Sequence, residues 1–220
     1  MIIAPLIHER KVIGTLRIHS SKAEVFTNDD LRLLDTIAVV ASSAISNAML
    51  FEQTEQLAIK DSLTGLYVRR YFFDRLKDEH RRALLTHRPL SVLMCDLDHF
   101  KECNDRFGHA AGDLMLIQFS QILKQSVAHG IVARYGGEEF SVLLPETSKK
   151  DAAELADQVR LAVEKNPFMI RRERIAMTVS IGVANLPDDT LDLESLIQKA
   201  DQALYQAKRM GRNRVCSSEI

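Results

Sequence analysis

The sequence predicts an α+β fold, and three observations carry the prediction. Between Leu90 and Ala184 the hydrophobic pattern runs strand, helix, strand, strand, helix, strand. That is the order of a ferredoxin-like split unit, an antiparallel sheet with helices on one face. Leu90-Ser91-Val92-Leu93-Met94-Cys95 is a near-continuous apolar run, as expected of a central strand buried on both sides. Gly136-Gly137 separates two more apolar runs, residues 131–133 and 140–144, and reads as a tight hairpin. The primed turns of such hairpins need positive φ at their central residues, which glycine supplies.

Composition is that of a globular protein, 46% hydrophobic and 27% charged. With 29 basic and 30 acidic residues the net charge is −1, so nothing global attracts nucleic acid or an acidic membrane. Cys95, Cys103 and Cys216 show no C-x-x-C spacing. They imply neither a disulfide framework nor zinc, and point to a reducing, cytoplasmic setting. The start, Met1-Ile2-Ile3-Ala4-Pro5, is too short and lacks the basic residues of a signal peptide. The longest apolar stretch, Thr36 to Phe51, is interrupted by Ser42, Ser43, Ser46 and Asn47 and is shorter than a bilayer span. It reads as a soluble helix, with no membrane span in the chain.

Taken in order, residues 4–7 and 12–18 predict a strand pair around the polar His8-Glu9-Arg10-Lys11. Two strands are marginal alone and need another surface. Thr27-Asn28-Asp29-Asp30 supplies capping oxygens for a helix that runs to about Lys60. Its stripe, Leu34, Ile37, Ala41, Ala44, Ala48, Phe51 and Ala58, has 3-4 spacing, which fits pairing with a second copy. Covering a sheet of its own domain explains residues 31–48 equally well; beyond 48 little remains to cover, and pairing is favoured.

Asp61-Ser62-Leu63-Thr64-Gly65-Leu66 breaks that helix, and a second follows over Arg69 to Thr86 with Phe72, Phe73, Leu76, Ala83 and Leu84 on its apolar side. The central strand exits into Asp96-Leu97-Asp98, and acids at a strand exit are where α/β proteins often place functional groups. His99 to Asp113 reads as a polar loop before a helix carrying Leu116, Phe119, Leu123 and Val127. After the hairpin come a helix with Ala152, Leu155, Val159 and Ala162, a strand alternating at Ile175, Met177, Val179, Ile181 and Val183, and a helix with Leu193, Leu196, Ala200, Ala203 and Ala207. Arg214-Val215-Cys216 predicts a closing strand.

The split order makes the first strand and the hairpin neighbours, so Asp96 approaches Glu138 and Glu139. Glu138 and Glu139 alone read equally as a solvated hairpin tip or as a metal or phosphate site. Converging carboxylates repel one another without a cation, and an oxygen-only set suits Mg²⁺ or Mn²⁺ together with substrate phosphates. Lys101, Lys208 and Arg212 can offset triphosphate charge, although a single lysine is as readily a solvated helix end.

The segments Asp61–Leu66, Asp96–Lys101, Asn104–His109, Gly112-Asp113, Arg134–Phe140, Val179–Ala184 and Ala203–Lys208 occur in order. Together they resemble the GGDEF domain of diguanylate cyclases, in its GGEEF form, over residues 58–216. The resemblance implies condensation of two GTP molecules into cyclic di-GMP, with release of two pyrophosphates, between the subunits of a homodimer paired through the stalk helix. It implies Asp96, Glu138, Glu139 and the Leu97 carbonyl as ligands of Mg²⁺ or Mn²⁺, a pair of ions per half-site, with Glu138 also the base. Asn104, Asp113 and His109 would form the guanine pocket. Lys101, Lys208, Arg212 and the backbone of His99-Phe100-Lys101 would hold phosphates, and Gly136 and Gly137 would leave room beside them. Residues 1–50 resemble the tail of a GAF sensory domain, on Val12-Ile13-Gly14-Thr15-Leu16 and the helix to Phe51. The organisation expected is thus a partial GAF-like segment over 1–50, a helical stalk over 51–60 and the catalytic domain over 61–220. Two rivals differ in class: a non-enzymatic module that binds GTP or cyclic di-GMP, and a competent domain silenced by loss of its sensor.

Two features depart from the family. Where many members carry an Arg-x-x-Asp product-binding site, its Arg nine residues before the first hairpin glycine, this chain has Val127 and Gly130. Val68 stands where Asn is frequent, with only a local change in helix packing expected. Neither Val127 nor Gly130 can bind phosphate or a guanine edge through its side chain. Added cyclic di-GMP is therefore expected to leave cyclase activity unchanged at this site; potent noncompetitive inhibition in a titration would contradict that.

Overall fold

The structure, a computed structural model, describes residues 1–8, 11–22, 25–57, 59–170 and 173–218, apart from the side chains of 52–57 and 170. It divides into two compact units, Met1–Ala58 and Ile59–Ile220.

In the first unit β1 (Ile2–His8) pairs antiparallel with β2 (Lys11–Ile18), and α1 (Asn28–Leu57) follows. Glu9 and Arg10 of the expected turn lie outside the described residues. Thr27 and Asp30 cap α1 reciprocally: the Thr27 N–H donates to Asp30 Oδ2 at 2.7 Å and the Asp30 N–H to Thr27 Oγ1 at 3.3 Å. Leu34 and Ala38 bury against Ala4, with Ile2, Leu6 and Leu16 packed around them. The predicted stripe divides. Leu34, Ala38, Ser42 and Ser46, spaced by four, form the buried row, whereas Ile37, Ala44 and Ala48 are exposed. The apolar segment is also longer than the Thr36–Phe51 stretch. Residues 28–51 are long and apolar enough to cross a membrane by length and composition, although 22% of the most apolar window is buried within the unit.

The second unit is built on a six-stranded sheet, and its elements run β3 (Tyr67–Val68), α2 (Arg69–Thr86), β4 (Leu90–Leu97), α3 (Phe100–Phe107), α4 (His109–Ser126), β5 (Ile131–Arg134) and β6 (Glu139–Pro145). After these come α5 (Lys149–Lys165), β7 (Phe168–Ile170), β8 (Glu173–Ile175), β9 (Val179–Leu186), α6 (Leu193–Arg209) and β10 (Val215–Ser217). The strand order is β10-β9-β4-β6-β5-β3, with β4 antiparallel to both neighbours and parallel pairs at the edges, β10 on β9 and β3 on β5. All eight residues of β4 are buried. Side chains alternate across a strand, so Leu93, Cys95 and Leu97 join the layer of Phe119, Leu123, Ala156 and Val159 from α4 and α5. Leu90, Val92 and Met94 join Phe72 and Leu76 of α2 and Ala200 and Leu204 of α6. The helices of the split unit, α4 and α5, thus lie on one face as expected, and α2 and α6 close the other, so that helices flank the central sheet.

Other expectations need correction. The polar stretch from His99 to Asp113 is mostly helical, since Phe100 and Cys103 bury one side of α3 and Gly108, at φ 83°, separates it from α4. The expected strand from Ile175 breaks before Val179. Its first part pairs with β7 as a separate hairpin, held to α4 by Gln118, which donates to the Met169 carbonyl and accepts from the Met169 N–H. Leu84 is 40% exposed and lies off the apolar side of α2. At Gly182 a Cβ would run into Ala200 O and Leu204 N, so this glycine lets α6 rest directly on the β9 backbone.

Val68 occupies the N-cap of α2 and offers no side-chain acceptor to the helix. Val68→Asn is accordingly expected to stabilise the unit by about 1 kcal/mol, measured by urea unfolding; an unchanged or lower midpoint would show that the valine packing outweighs the cap.

Candidate active site

The exit of β4 is where the sheet gathers its acids. Alternation places Asp96 on the α2/α6 face after Val92 and Met94, and Asp96 lies opposite Glu139 in the β4–β6 register. The Leu97 N–H reaches the Glu138 carbonyl at 3.5 Å. From the last turn of α6, Lys208 Nζ contacts Asp96 Oδ2 at 2.7 Å. Burial pushes the Asp96 carboxyl up; Lys208 opposes this by hydrogen bond and charge, Glu138 and Glu139 add to it, and the result is a raised pKa.

The hairpin does not use the expected turn. Neither Gly136 nor Gly137 is among the glycines with positive φ, which are Gly65, Gly108 and Gly211. Instead, the consecutive N–H groups of Tyr135 and Gly136 both donate to the Glu139 carbonyl, at 2.8 and 3.2 Å, a bulge-like two-to-one pairing. The tip is fixed from outside by Arg134. Its Nε and Nη2 donate to the Gly137 carbonyl at 3.1 and 2.9 Å, and its Nη1 reaches Asp61 at 3.2 Å. Asp61 in turn accepts from the Thr64 N–H and hydroxyl. Arg134 and Asp61 belong to the motif segments but are not among the expected site residues; a sequence shows both charges without showing that they meet.

On the other side of β4, α3 begins at His99, which has φ 59° and pairs its Nδ1 with Glu102 at 2.8 Å. Phe100 is buried and Lys101 exposed. Arg212, also exposed, lies near enough to contribute to holding the Glu102 carboxyl low, after the larger effect of His99. Asn104 Oδ1 is buried without a hydrogen-bond partner, over Gly112, where any Cβ would collide with it. His109 and Asp113 are exposed on the first turns of α4. The predicted residues thus lie in two sets, the acids with Lys208 at the exit of β4, and Lys101, Asn104, His109 and Asp113 along α3 and the first turns of α4. Val127 and Gly130 lie elsewhere, in a cleft with Lys60 and Lys124.

Oxygen donors at Asp96, Leu97, Glu138 and Glu139 fit a hard divalent cation in chemistry, and the mutual repulsion felt by Asp96 is what such a cation relieves. Among the described residues, no three His, Cys, Asp or Glu side chains are gathered closely enough to hold an ion, and the cation beside Asp96 is Lys208. Asp98 stands apart from the acids despite its position: Thr178, Ser180 and the Asn213 N–H occupy its oxygens.

Comparison with known proteins adds a family. Residues 58–214 match the family described as diguanylate cyclase, GGDEF domain, and residues 1–47 match a GAF domain. Diguanylate cyclase A of Treponema denticola is 37% identical over 222 residues, which cover 98% of this chain and 58% of that protein. Response regulator PleD of Caulobacter vibrioides is 42% identical over 163 residues, 73% of this chain and 36% of its own. The solved active GGEEF domain of a diguanylate cyclase from Vibrio cholerae aligns with a TM-score of 0.65 and 34% identity, over 70% of this chain and 97% of that one.

Burial acts to raise the Asp61 pKa, but the Thr64 hydrogen bonds and Arg134 outweigh it, and the carboxyl lies below the ordinary 3.8. A lowered folded pKa contributes stability that is present above the unfolded value and lost as pH falls through the folded one. Asp61→Asn is expected to destabilise the fold by roughly 1–2 kcal/mol at pH 7, with the difference shrinking in melts run progressively below pH 3.8. A difference independent of pH would contradict the ion pair.

Proposed function

Because this chain belongs to the GGDEF diguanylate cyclase family, we propose that it condenses two GTP molecules into cyclic di-GMP and two pyrophosphates. The observation that carries the reading is buried Asp96 set opposite Glu139 at the exit of β4 with Lys208 on its carboxylate. Asp96, Glu138, Glu139 and the Leu97 carbonyl would hold Mg²⁺ or Mn²⁺. Such a cation, when bound, lowers the cost of the negative charge that gathers on the phosphates during transfer.

The remaining chemistry belongs to the chain. Glu138 takes the proton from a 3′-hydroxyl as its oxygen bonds to the α-phosphorus of the second nucleotide, and the bond from that phosphorus to pyrophosphate breaks. The same exchange in the opposite sense closes the ring. Lys208 and Lys101 neutralise the triphosphate, together with Arg212 and the free N–H groups of the first turn of α3, whose dipole favours anions. The orphan Oδ1 of Asn104 and the carboxylate of Asp113 meet the guanine edge, with His109 in the same groove. The glycines Gly136 and Gly137 keep the hairpin tip bare for a phosphate.

Two half-sites must face each other, which requires a homodimer. The exposed run of Leu33, Ile37, Val40 and Ala44 on α1, at 4-3-4 spacing, supports pairing through this helix. The chain spans 58% and 36% of the two curated relatives, so input signal and whole-protein regulation lie beyond the proposal. A cytoplasmic location belongs to the same reading.

The test is incubation of the purified chain with GTP and Mg²⁺, followed by chromatography for cyclic di-GMP and an assay for pyrophosphate. Glu138→Gln is expected to lower turnover by about 10²–10⁴-fold. Unchanged turnover in that variant would refute the assignment of the base, and absence of both products from the unsubstituted chain would refute the cyclase reading.

A further inference from the structure

We infer that Asp98, Asn213, Arg160 and Glu164 form a clasp that positions Arg212 for substrate binding, an inference that rests on the reading that Arg212 holds GTP phosphate. The turn leaving α6 is conformationally costly. Gly211, Arg212 and Asn213 have φ of 112°, 62° and 46°, so two consecutive non-glycine residues adopt the left-handed region. L-residues avoid that region and keep it only where surrounding contacts over-determine it.

Those contacts come from two directions. From β4, Asp98 is 3% exposed; its Oδ2 accepts from the Asn213 N–H at 3.0 Å and from the Thr178 hydroxyl at 2.7 Å, while Oδ1 accepts from the Ser180 hydroxyl at 2.7 Å. From α5, Arg160 Nη1 donates to Asn213 Oδ1 at 3.1 Å, and Asn213 Nδ2 donates to Glu164 Oε1 at 2.6 Å. Arg160 is itself fixed by Asp157 at 2.7 Å and Glu164 at 3.1 Å. Both polar atoms of the Asn213 side chain and its N–H are thus engaged, while its neighbour Arg212 is exposed and contributes to holding Glu102 low at the start of α3. The Arg212 N–H donates to Ala207 O at 3.0 Å, tying the same turn to the end of α6 that carries Lys208. The clasp residues touch no substrate; they are positioning residues, and they set where the guanidinium starts.

A double-mutant cycle on GTP affinity, measured by calorimetry with Mg²⁺, tests this. Asn213→Gly removes the side-chain links while keeping the left-handed backbone easy to adopt, and is expected to raise the Kd for GTP about tenfold. Arg160→Met, which keeps the long aliphatic packing of this mostly buried side chain on α5, is expected to shift it the same way and guards against misfolding of the glycine variant. In an Arg212→Ala background, Asn213→Gly should change Kd by less than about twofold, because the residue through which it acts is gone. A clasp that only stabilised the fold would weaken binding equally in both backgrounds and lower the melting temperature alongside. Equal penalties, or no weakening by either clasp variant, would overturn the inference while leaving the GTP reading intact. Absence of GTP binding by the unsubstituted chain would overturn both.

Discussion

Slipping β4 by one residue against β6 or β9 would exchange its two apolar layers and drive Asp96 toward Phe119 and Val159. Because all eight residues of the strand are buried, that slip has no inexpensive form, and the register of β4 is the constraint from which the site follows. It sets Asp96 opposite Glu139, points it at α6, and leaves Asp98 one step beyond the sheet to receive Thr178, Ser180 and Asn213. Gly182 completes the arrangement, since only a residue without Cβ lets α6 approach β9 closely enough for Lys208 to reach the acid.

Two cations serve this end of the sheet in different ways. Lys208 is a flexible point charge, one-third exposed, and its ion pair opposes the burial and the two neighbouring acids that push the Asp96 carboxyl up. Removing it without replacement would leave Asp96 buried and uncompensated, so its transfer to a phosphate and the arrival of a divalent cation are coupled under the proposed function. Arg134 works by geometry instead. Its fork spans the Gly137 carbonyl and Asp61, so the hairpin tip is held through a planar group that lysine could not imitate.

Much of this was legible in the sequence where one face or both faces of an element are apolar. The Leu90–Cys95 run identified a central strand, Phe72 and Leu76 a helix that matches α2, and the strand order brought Asp96 to Glu139. Failures fell where tertiary contacts override local signals. Polar residues hid α3, whose few apolar positions, Phe100 and Cys103, suffice because the helix is short. Alternation from Ile175 to Val183 crossed a break at 176–178 that no side chain marks. Gly136 and Gly137 suggested a primed turn, yet Arg134 and a doubled acceptor at Glu139 set the tip without positive φ. The clasp at Asn213 was not legible, because its partners lie 49, 53 and 115 residues away.

The N-terminal unit raises a separate energetic question. Its hairpin and α1 bury little beyond Ala4, Leu34 and Ala38, and a two-stranded sheet contributes little by itself. Leu33, Ile37, Val40 and Ala44 remain exposed, which is costly for a free helix. By length and composition residues 28–51 could meet that cost in a bilayer. A spanning helix, however, is apolar around its whole circumference, whereas Asp35, Ser43 and Asn47 are also exposed here and Leu34, Ala38 and Ser42 face protein. An apolar strip bordered by polar residues is the pattern of a helix that meets another helix along one line. Leu33, Ile37, Val40 and Ala44 make such a strip, although Val39, Ile45 and Met49 are exposed beside it, and under the proposed function it is where two copies would pair for condensation between two half-sites.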